Sequence, residues 1–197
     1  MFTGIIFEQG TIQKSQLSPS GLKLTVSVQN IPQNIRKGSS IAIDGICLTL
    51  LQKKKSTLSF FAMNETLDKT QLGQKEKGDR VNVEYPLNAG DFISGHFVSG
   101  HIDALLTVKK CVRSPKGCSL TIFLPSSYAP SVIFKGSVAL NGVSLTVSRL
   151  FSRSFVVSLI PITLQKTNLS LLREGDRVNV EFDMIGKFVA HILRGKL

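Results

Sequence analysis

Short stretches rich in β-branched and aromatic residues, many alternating with polar ones, run through the chain and are separated by Gly, Pro, Asn or Ser. Ile5 to Lys14, Leu22 to Gln29, Ser40 to Leu51, Thr57 to Ala62 and Arg80 to Tyr85 have this form and read as strands. Asp44-Gly45 inside the third stretch predicts a bulge or sharp bend, of the kind a small barrel needs where a strand turns a corner. Asn64 to Lys69 opens on a good N-cap residue and predicts one short helix. The same order then returns, with strands expected near His101 to Val112, Ser119 to Leu124, Ser137 to Leu150, Ser154 to Ile160 and Arg177 to Asp183, and a short helix after Pro161. From Gly186 to Gly195 the period changes. Phe188 with Ile192 and Val189 with Leu193 stand four apart, an apolar stripe on a helix of about three turns. A helix this short is marginal alone, so it is expected to pack on its own barrel or on other subunits.

The return is a true repeat. Ser40 to Leu50 (S-I-A-I-D-G-I-C-L-T-L) reappears 97 positions later as Ser137 to Val147 (S-V-A-L-N-G-V-S-L-T-V), and Gly78 to Glu84 reappears unchanged as Gly175 to Glu181. Upstream the offset is 96, pairing Phe2-Thr3-Gly4 with Val98-Ser99-Gly100. A solenoid needs at least three short repeats, whereas a unit of this size can enclose its own core. The fold class is therefore all-β: two similar six-stranded antiparallel Greek-key barrels plus a short C-terminal helix, since closure leaves no sheet edge exposed. The expected division is residues 1–90, 91–185 and 186–197, with Leu87 to Asp91 as linker. Chemical mismatches between the copies mark where labour could be divided: Cys47 opposite Ser144, Gly38 opposite Lys135, Ile5 opposite His101, and Pro86 opposite Asp183.

Composition narrows the function classes. A net charge of +11 could suit nucleic acid, but the lysines are scattered, and there is no Trp and only two Tyr to build a stacking platform. Nucleic acid is therefore not expected as a partner. No apolar run has the ~18 residues that suggest a membrane span, and the N-terminus lacks a basic n-region, so a cytoplasmic protein is expected. Cys47, Cys111 and Cys118 lack metal-ligand spacing; reduced thiols and no metal are expected, although Cys111 and Cys118 can face each other across the Arg113 to Gly117 turn.

The opening Met1-Phe2-Thr3-Gly4-Ile5-Ile6, the paired segments around Cys47 and Ser144, Glu65-Thr66-Leu67, and Gly95 to Asp103 (G-H-F-V-S-G-H-I-D) resemble the riboflavin synthase family over nearly the whole chain. The resemblance implies two lumazine-binding barrels and a C-terminal helix through which three chains associate. Active sites then lie between the N-barrel of one subunit and the C-barrel of its neighbour. The implied reaction moves a four-carbon unit between two molecules of 6,7-dimethyl-8-ribityllumazine, giving riboflavin and 5-amino-6-ribitylaminouracil. It needs no external cofactor, because the pteridine ring is its own electron sink.

The resemblance assigns His101, Cys47 and Thr49 to the N-barrel pocket together with Gly4, Ile5 and Ile6, and Ser144, Thr146, Lys135 and Asp183 to the C-barrel pocket. Met63, Glu65 and Thr66, and in copy two Leu159, Ile160, Ile162 and Thr163, match segments holding pteridine and ribityl groups; Leu48, Gly100, Ile102 and Leu145 complete the binding set. The implied roles give Ser144 with Asp183 the activation of a nucleophile or movement of protons. Lys135 and His101 would orient ribityl hydroxyls or relay protons, and Cys47 would contact the ring. Without the resemblance the same residues read as core filler (Cys47), a satisfied strand hydroxyl (Ser144), a solvated turn lysine (Lys135) and an acid at a helix start (Asp183). His96 and His191 read as structural. Ile162 departs from the polar residue expected opposite Glu65, and the short tail implies modest trimer association. A lumazine carrier that binds without turnover is the competing reading.

Overall fold

The computed structural model describes residues 1–194. Strands β1 (Glu8–Ser18), β2 (Gly21–Ser27), β3 (Ser40–Ile43), β4 (Ile46–Lys54), β5 (Thr57–Met63) and β6 (Arg80–Glu84) close a barrel in the order β1-β2-β5-β4-β3-β6. Strands β7 (Ala104–Ser114), β8 (Gly117–Phe123), β9 (Ser137–Leu140), β10 (Val143–Phe151), β11 (Ser154–Leu159) and β12 (Arg177–Phe182) close a second barrel in the same order. All pairings are antiparallel. Each barrel has its own apolar core, with Phe60, Leu24 and Ile41 fully buried in the first and Phe155, Leu120 and Phe182 in the second.

Alternation along the strands decides which side chains face solvent. In β4, Ile46, Leu48 and Leu50 are buried while Cys47 is half-buried and Thr49 exposed; in β10, Val143, Leu145 and Val147 are buried while Ser144 is half-buried and Thr146 exposed. Cys47 and Ser144 thus lie on the outer walls of the first and second barrels, not in their cores.

Three expectations need correction. The stretch Ser40 to Leu51 is two strands. Asp44 and Gly45 take φ values of +47° and +77°, and Ile43 pairs with Ile46, a two-residue hairpin turn of the Asp-Gly type. Asn141-Gly142 makes the same turn in the second copy, with Leu140 paired to Val143. The first strand of each copy begins later than expected, at Glu8 and Ala104, because the residues before it leave their own barrel for the other one. Helix α1 (Asn64–Lys69) starts as expected, but Asn64 does not cap it; its amide donates to the Pro19 carbonyl at 2.9 Å, tying the helix to the β1–β2 turn.

Helix α2 (Pro161–Lys166) repeats α1, and α3 (Met184–Arg194) follows β12 directly. The described part of the tail matches the expected three turns; Gly195 to Leu197 lie outside the described residues. Among the described residues no helix is long and apolar enough to cross a membrane.

Candidate functional site

The two barrels exchange short segments. Phe2 pairs with Val98 at the boundary, in an apolar cluster with Ala42 and Ala139. From there the chain before β1 runs along barrel two, where the Ser144 amide donates to the Gly4 carbonyl at 2.8 Å and Ile6 joins the core. The chain before β7 runs along barrel one, where the Cys47 amide donates to the Gly100 carbonyl at 2.8 Å and Ile102 packs on the core. Gly4 and Gly100 are required there: φ is +77° and +82°, and an added Cβ would sit 2.6 Å from Ser144 Cβ and 2.5 Å from Cys47 Cβ.

A buried carboxylate clamps each exchanged segment. Glu84 on β6 accepts from the Thr3 amide (2.7 Å), the Thr3 hydroxyl (3.0 Å) and the Gly4 amide (3.1 Å). Glu181 on β12 accepts from the Ser99 amide (2.7 Å), the Ser99 hydroxyl (2.6 Å) and the Gly100 amide (2.9 Å). Burial pushes the Glu84 carboxyl above the usual range, against the pull of its hydrogen bonds from Thr3, Gly4 and Ile5.

On barrel one this arrangement leaves an open cleft of about 290 Å³, lined by Ile46, Cys47, Glu65, Thr66, Lys69, Thr70, Gly100, His101 and Ile102. Glu65 and Lys69 form an exposed ion pair at its rim, 2.8 Å apart. Hydrogen bonding to Lys69, then its charge, lowers the Glu65 carboxyl below its ordinary range. The cleft offers an apolar strip, a thiol, an imidazole and hydroxyls, which suits a flat heteroaromatic ring carrying a polyol.

On barrel two, Ser144 holds the position of Cys47 and Gly4 that of Gly100. Ser144 Oγ is 2.7 Å from His96 Nδ1, and the buried His96 is fixed in turn by its amide, which donates to the Thr3 carbonyl at 3.1 Å. Burial holds the imidazole below its ordinary pKa, while the charges of Asp183 and then Glu181 pull the other way. Asp183 follows β12, and its Oδ1 accepts from the Ile185 amide at 2.9 Å, capping the start of α3. A hydroxyl, an imidazole and a nearby carboxylate form the group on this side with the means to move a proton.

The lumazine binding domain profile matches residues 3–86 and 99–183, one copy for each barrel. The chain is 36% identical to riboflavin synthase of Bacillus subtilis over 98% of its length and 90% of that protein. It is 38% identical to riboflavin synthase of Chlamydia pneumoniae (95% and 92% covered) and 35% identical to that of Mycobacterium tuberculosis (98% of each). The chain belongs to the riboflavin synthase family. Its barrel pair also superposes on crystal structures of LumP complexed with 6,7-dimethyl-8-(1'-D-ribityl) lumazine and with riboflavin, at TM-scores of 0.83 and 0.86, covering 92% of this chain and 99% of that one. At 21% and 22% identity that likeness speaks for the fold.

Within this riboflavin synthase fold the expected site residues divide. Cys47, Glu65, Thr66, Gly100, His101 and Ile102 come together in the barrel-one cleft. Gly4, Ile5 and Ile6 do not join them in the chain: Gly4 and Ile6 lie on barrel two because the exchanged segment carries them across, and Ile5 is half exposed. Leu48, Leu145 and Leu159 turn their side chains into the barrel cores, as strand alternation requires. Met63, Thr49, Thr146, Ile160 and Ile162 are exposed and Thr163 half-buried on the outer surface. Lys135 lies exposed at φ +64°, its ammonium 5.3 Å above the Phe134 ring. Sequence reasoning passed over Glu84 and Glu181, although their identical setting in the two copies was a signal that one interaction occurs twice. It also set His96 aside as structural, and no spacing pattern ties residue 96 to residue 144. A larger groove of about 470 Å³, walled by Gln71, Arg80, Asn141, Asn168 and Arg177, collects none of the expected residues. Cys47 and His101 line the smaller cleft instead, and Ser144 and His96 meet on barrel two.

Proposed function

We propose that the protein is a transferase catalysing dismutation of two 6,7-dimethyl-8-ribityllumazine molecules into riboflavin and 5-amino-6-ribitylaminouracil. The observation that carries this reading is the pair of equivalent outer-wall sites, alike in backbone yet bearing a thiol in one and a hydroxyl with an imidazole in the other. A dismutation brings together two copies of one substrate, and related sites can hold them in near-mirror positions while unlike residues decide which copy donates. Positioning of this kind can supply ~7–11 kcal/mol of the barrier.

The reaction begins with removal of a proton from the 7-methyl group, whose anion spreads into the electron-poor ring. The protein then has to supply proton transfer and positioning rather than a cofactor. Cys47, His101, Glu65 and Thr66 hold one lumazine on barrel one. Ser144, with Thr146, Lys135, Ile162 and Thr163, receives the other on barrel two, and Asp183 assists its proton movements. The exposed apolar face of α3, Phe188 with Val189, Ile192 and Leu193, joins three chains so that barrel one of one subunit faces barrel two of the next. A cytoplasmic location fits the three free cysteines.

Purified protein incubated with the lumazine alone should generate riboflavin fluorescence at half the molar amount of substrate consumed. Lumazine bound but returned unchanged would make the protein a carrier and overturn the reading. Ser144→Ala and Asp183→Asn should lower turnover by ~10²–10⁴-fold, as loss of a proton-transfer partner does, with lumazine affinity little changed. Near-wild-type turnover in both variants would reduce these residues to pocket walls.

A further inference from the structure

The barrel-two site contains one group that the reading above leaves without a task. His96 is buried, its Nδ1 is 2.7 Å from Ser144 Oγ, and its Nε2 is buried without a hydrogen-bond partner among the described residues. On barrel one His101 lines the same cleft as Cys47, but no hydrogen bond joins them among the described residues. The segment bearing the imidazole is pinned on both sides. The His96 amide donates to the Thr3 carbonyl, and Val98 exchanges hydrogen bonds with Phe2. Beside it, a Cβ at Gly95 would lie 2.0 Å from the Thr3 carbonyl oxygen and 2.9 Å from Ser144 Cβ. The ring is therefore delivered to the hydroxyl by rigid backbone and has little room to withdraw.

A neutral imidazole has one N–H and one bare nitrogen, and the two possible tautomers leave different atoms at Nε2. If Nδ1 accepts from Ser144, an N–H is stranded at Nε2 in a dry position. If Nδ1 donates to Ser144, Nε2 is left as an unpaired acceptor. Among buried backbone groups an orphaned N–H is rarer than an under-satisfied acceptor, and the same preference is carried over to the ring. The second tautomer is therefore favoured, and it has a consequence for Ser144. With one Oγ lone pair taken by His96, the hydroxyl of the half-buried Ser144 keeps its own proton free to turn away from the ring. The carboxylates whose charge acts on the ring, Asp183 and Glu181, are hydrogen-bonded elsewhere, Asp183 by the Ile185 amide and Glu181 by Ser99 and Gly100.

We propose that His96 is a positioning residue for the lumazine reaction: held as the Nδ1–H tautomer, it donates to Ser144 Oγ and aims the Ser144 hydroxyl proton outward at the ligand. Ser144 is then a preset hydrogen-bond donor for charge that builds up on the ring when the methyl proton leaves. Cys47, lacking an equivalent, is not preset, so the two sites of the dismutation differ in which bound ring is stabilised as the anion. The kinetic part of this inference rests on the riboflavin-forming reading; the tautomer does not.

The test has two independent arms on the full chain. Long-range proton–nitrogen NMR of ¹⁵N-histidine-labelled protein should find Nδ1 protonated and Nε2 bare at His96, and Ser144→Ala should shift the Nδ1 signal. Protonation at Nε2 overturns the proposal, whether or not riboflavin is made. In the kinetic arm, His96→Leu should lower kcat about 10²-fold, the low end of the range for losing a proton-handling group, with little change in KM. His96→Asn, whose amide N–H can reach the same oxygen, should recover about ten-fold of that loss. In a Ser144→Ala background both His96 substitutions should have no further effect on kcat. If the losses instead multiply, or if they appear in KM, His96 holds the fold and does not act through Ser144. Absence of riboflavin from the wild type would sink the functional reading alone and leave the NMR result to decide the tautomer.

Discussion

At the scale of single residues, the barrel-one site is tight where the Gly100 backbone meets the Cβ and amide of Cys47. Gly100 lies at φ +82° with its missing Cβ 2.5 Å from Cys47 Cβ and 2.9 Å from the Cys47 amide, neither of which is a flexible side-chain tip. Gly38 has a similar φ, +89°, and nothing within 4 Å. The pair separates backbone strain from collision. Gly38→Ala should cost the roughly 1–2 kcal/mol of a left-handed non-glycine residue. Gly100→Ala should cost more and also weaken lumazine binding on barrel one, because the exchanged segment must lift off β4. Denaturant midpoints and a lumazine titration of the two variants check this. Equal stability losses with unchanged binding would mean the segment yields freely and the cleft is not tightly built. Cys47→Ser, by contrast, should be mild in stability, since the twin position already holds Ser144 in the same half-buried setting.

At the scale of elements, α3 shows how far a local pattern reaches. The four-residue spacing of its apolar side chains foretold both the helix and its stripe, and Ile185, Phe188, Val189, Ile192 and Leu193 are each more than half exposed on the single chain. The helix is held to barrel two from its other side, where Lys187 Nζ meets both Asp103 carboxylate oxygens at 3.0 Å. Covering such a stripe is the expected role of a second copy, so Phe188→Glu should shift sedimentation at micromolar concentration from trimer toward monomer. A wild type that stays monomeric at all concentrations, with full turnover, would remove the stripe from the assembly and with it the intersubunit site. Strand alternation was equally readable, because each residue's burial depends on near neighbours in the sequence. The segments Phe2 to Phe7 and Phe97 to Asp103 were not. Their apolar residues look like a continuation of β1 and β7, yet Gly4 and Gly100 bond to Ser144 and Cys47 on strands of the other barrel, and nothing in a local pattern names a partner 140 residues away, as Ser144 is to Gly4. The pairing of Ser144 with His96 escaped for the same reason.

At the scale of the whole molecule, the two barrels meet tip to tip at the β3–β4 and β9–β10 turns, where Gly45 and Gly142 are in backbone contact. Around them the repeat partners Asp44 and Asn141, Asn82 and Asn179, and Gln71 and Asn168 interlock. Asp44 Oδ1 accepts from the Asn82 amide at 2.8 Å and from Asn168 Nδ2 at 2.7 Å, and Asn141 Oδ1 accepts from Gln71 Nε2 at 2.8 Å. The symmetry is broken by one charge. Asp44 is 1% exposed, and its nearest cation, Lys75 Nζ, lies 3.5 Å away. Burial raises its carboxyl above the ordinary value, outweighing the lowering by Lys75, the Asn82 amide and Asn168. A raised folded-state pKa means the folded chain holds the proton more readily than the unfolded one. This group's favourable contribution is therefore complete below the ordinary carboxylate range and is lost as pH rises through the raised value. Asp44→Asn copies the uncharged side chain that position 141 already carries at φ +44° in the equivalent turn. Its amide facing Lys75 and Gln71 adds an offset that does not vary with pH. Measured by chemical denaturation between about pH 4 and pH 8, the stability of the variant relative to wild type should therefore climb with pH and level off once Asp44 is ionised in both states. All other titrating groups cancel in that difference. A difference that is flat across the range, or that falls as pH rises, would show that Lys75 and the hydrogen bonds fully offset the burial of the charge, and that the barrel interface is held by an ion pair and not despite one.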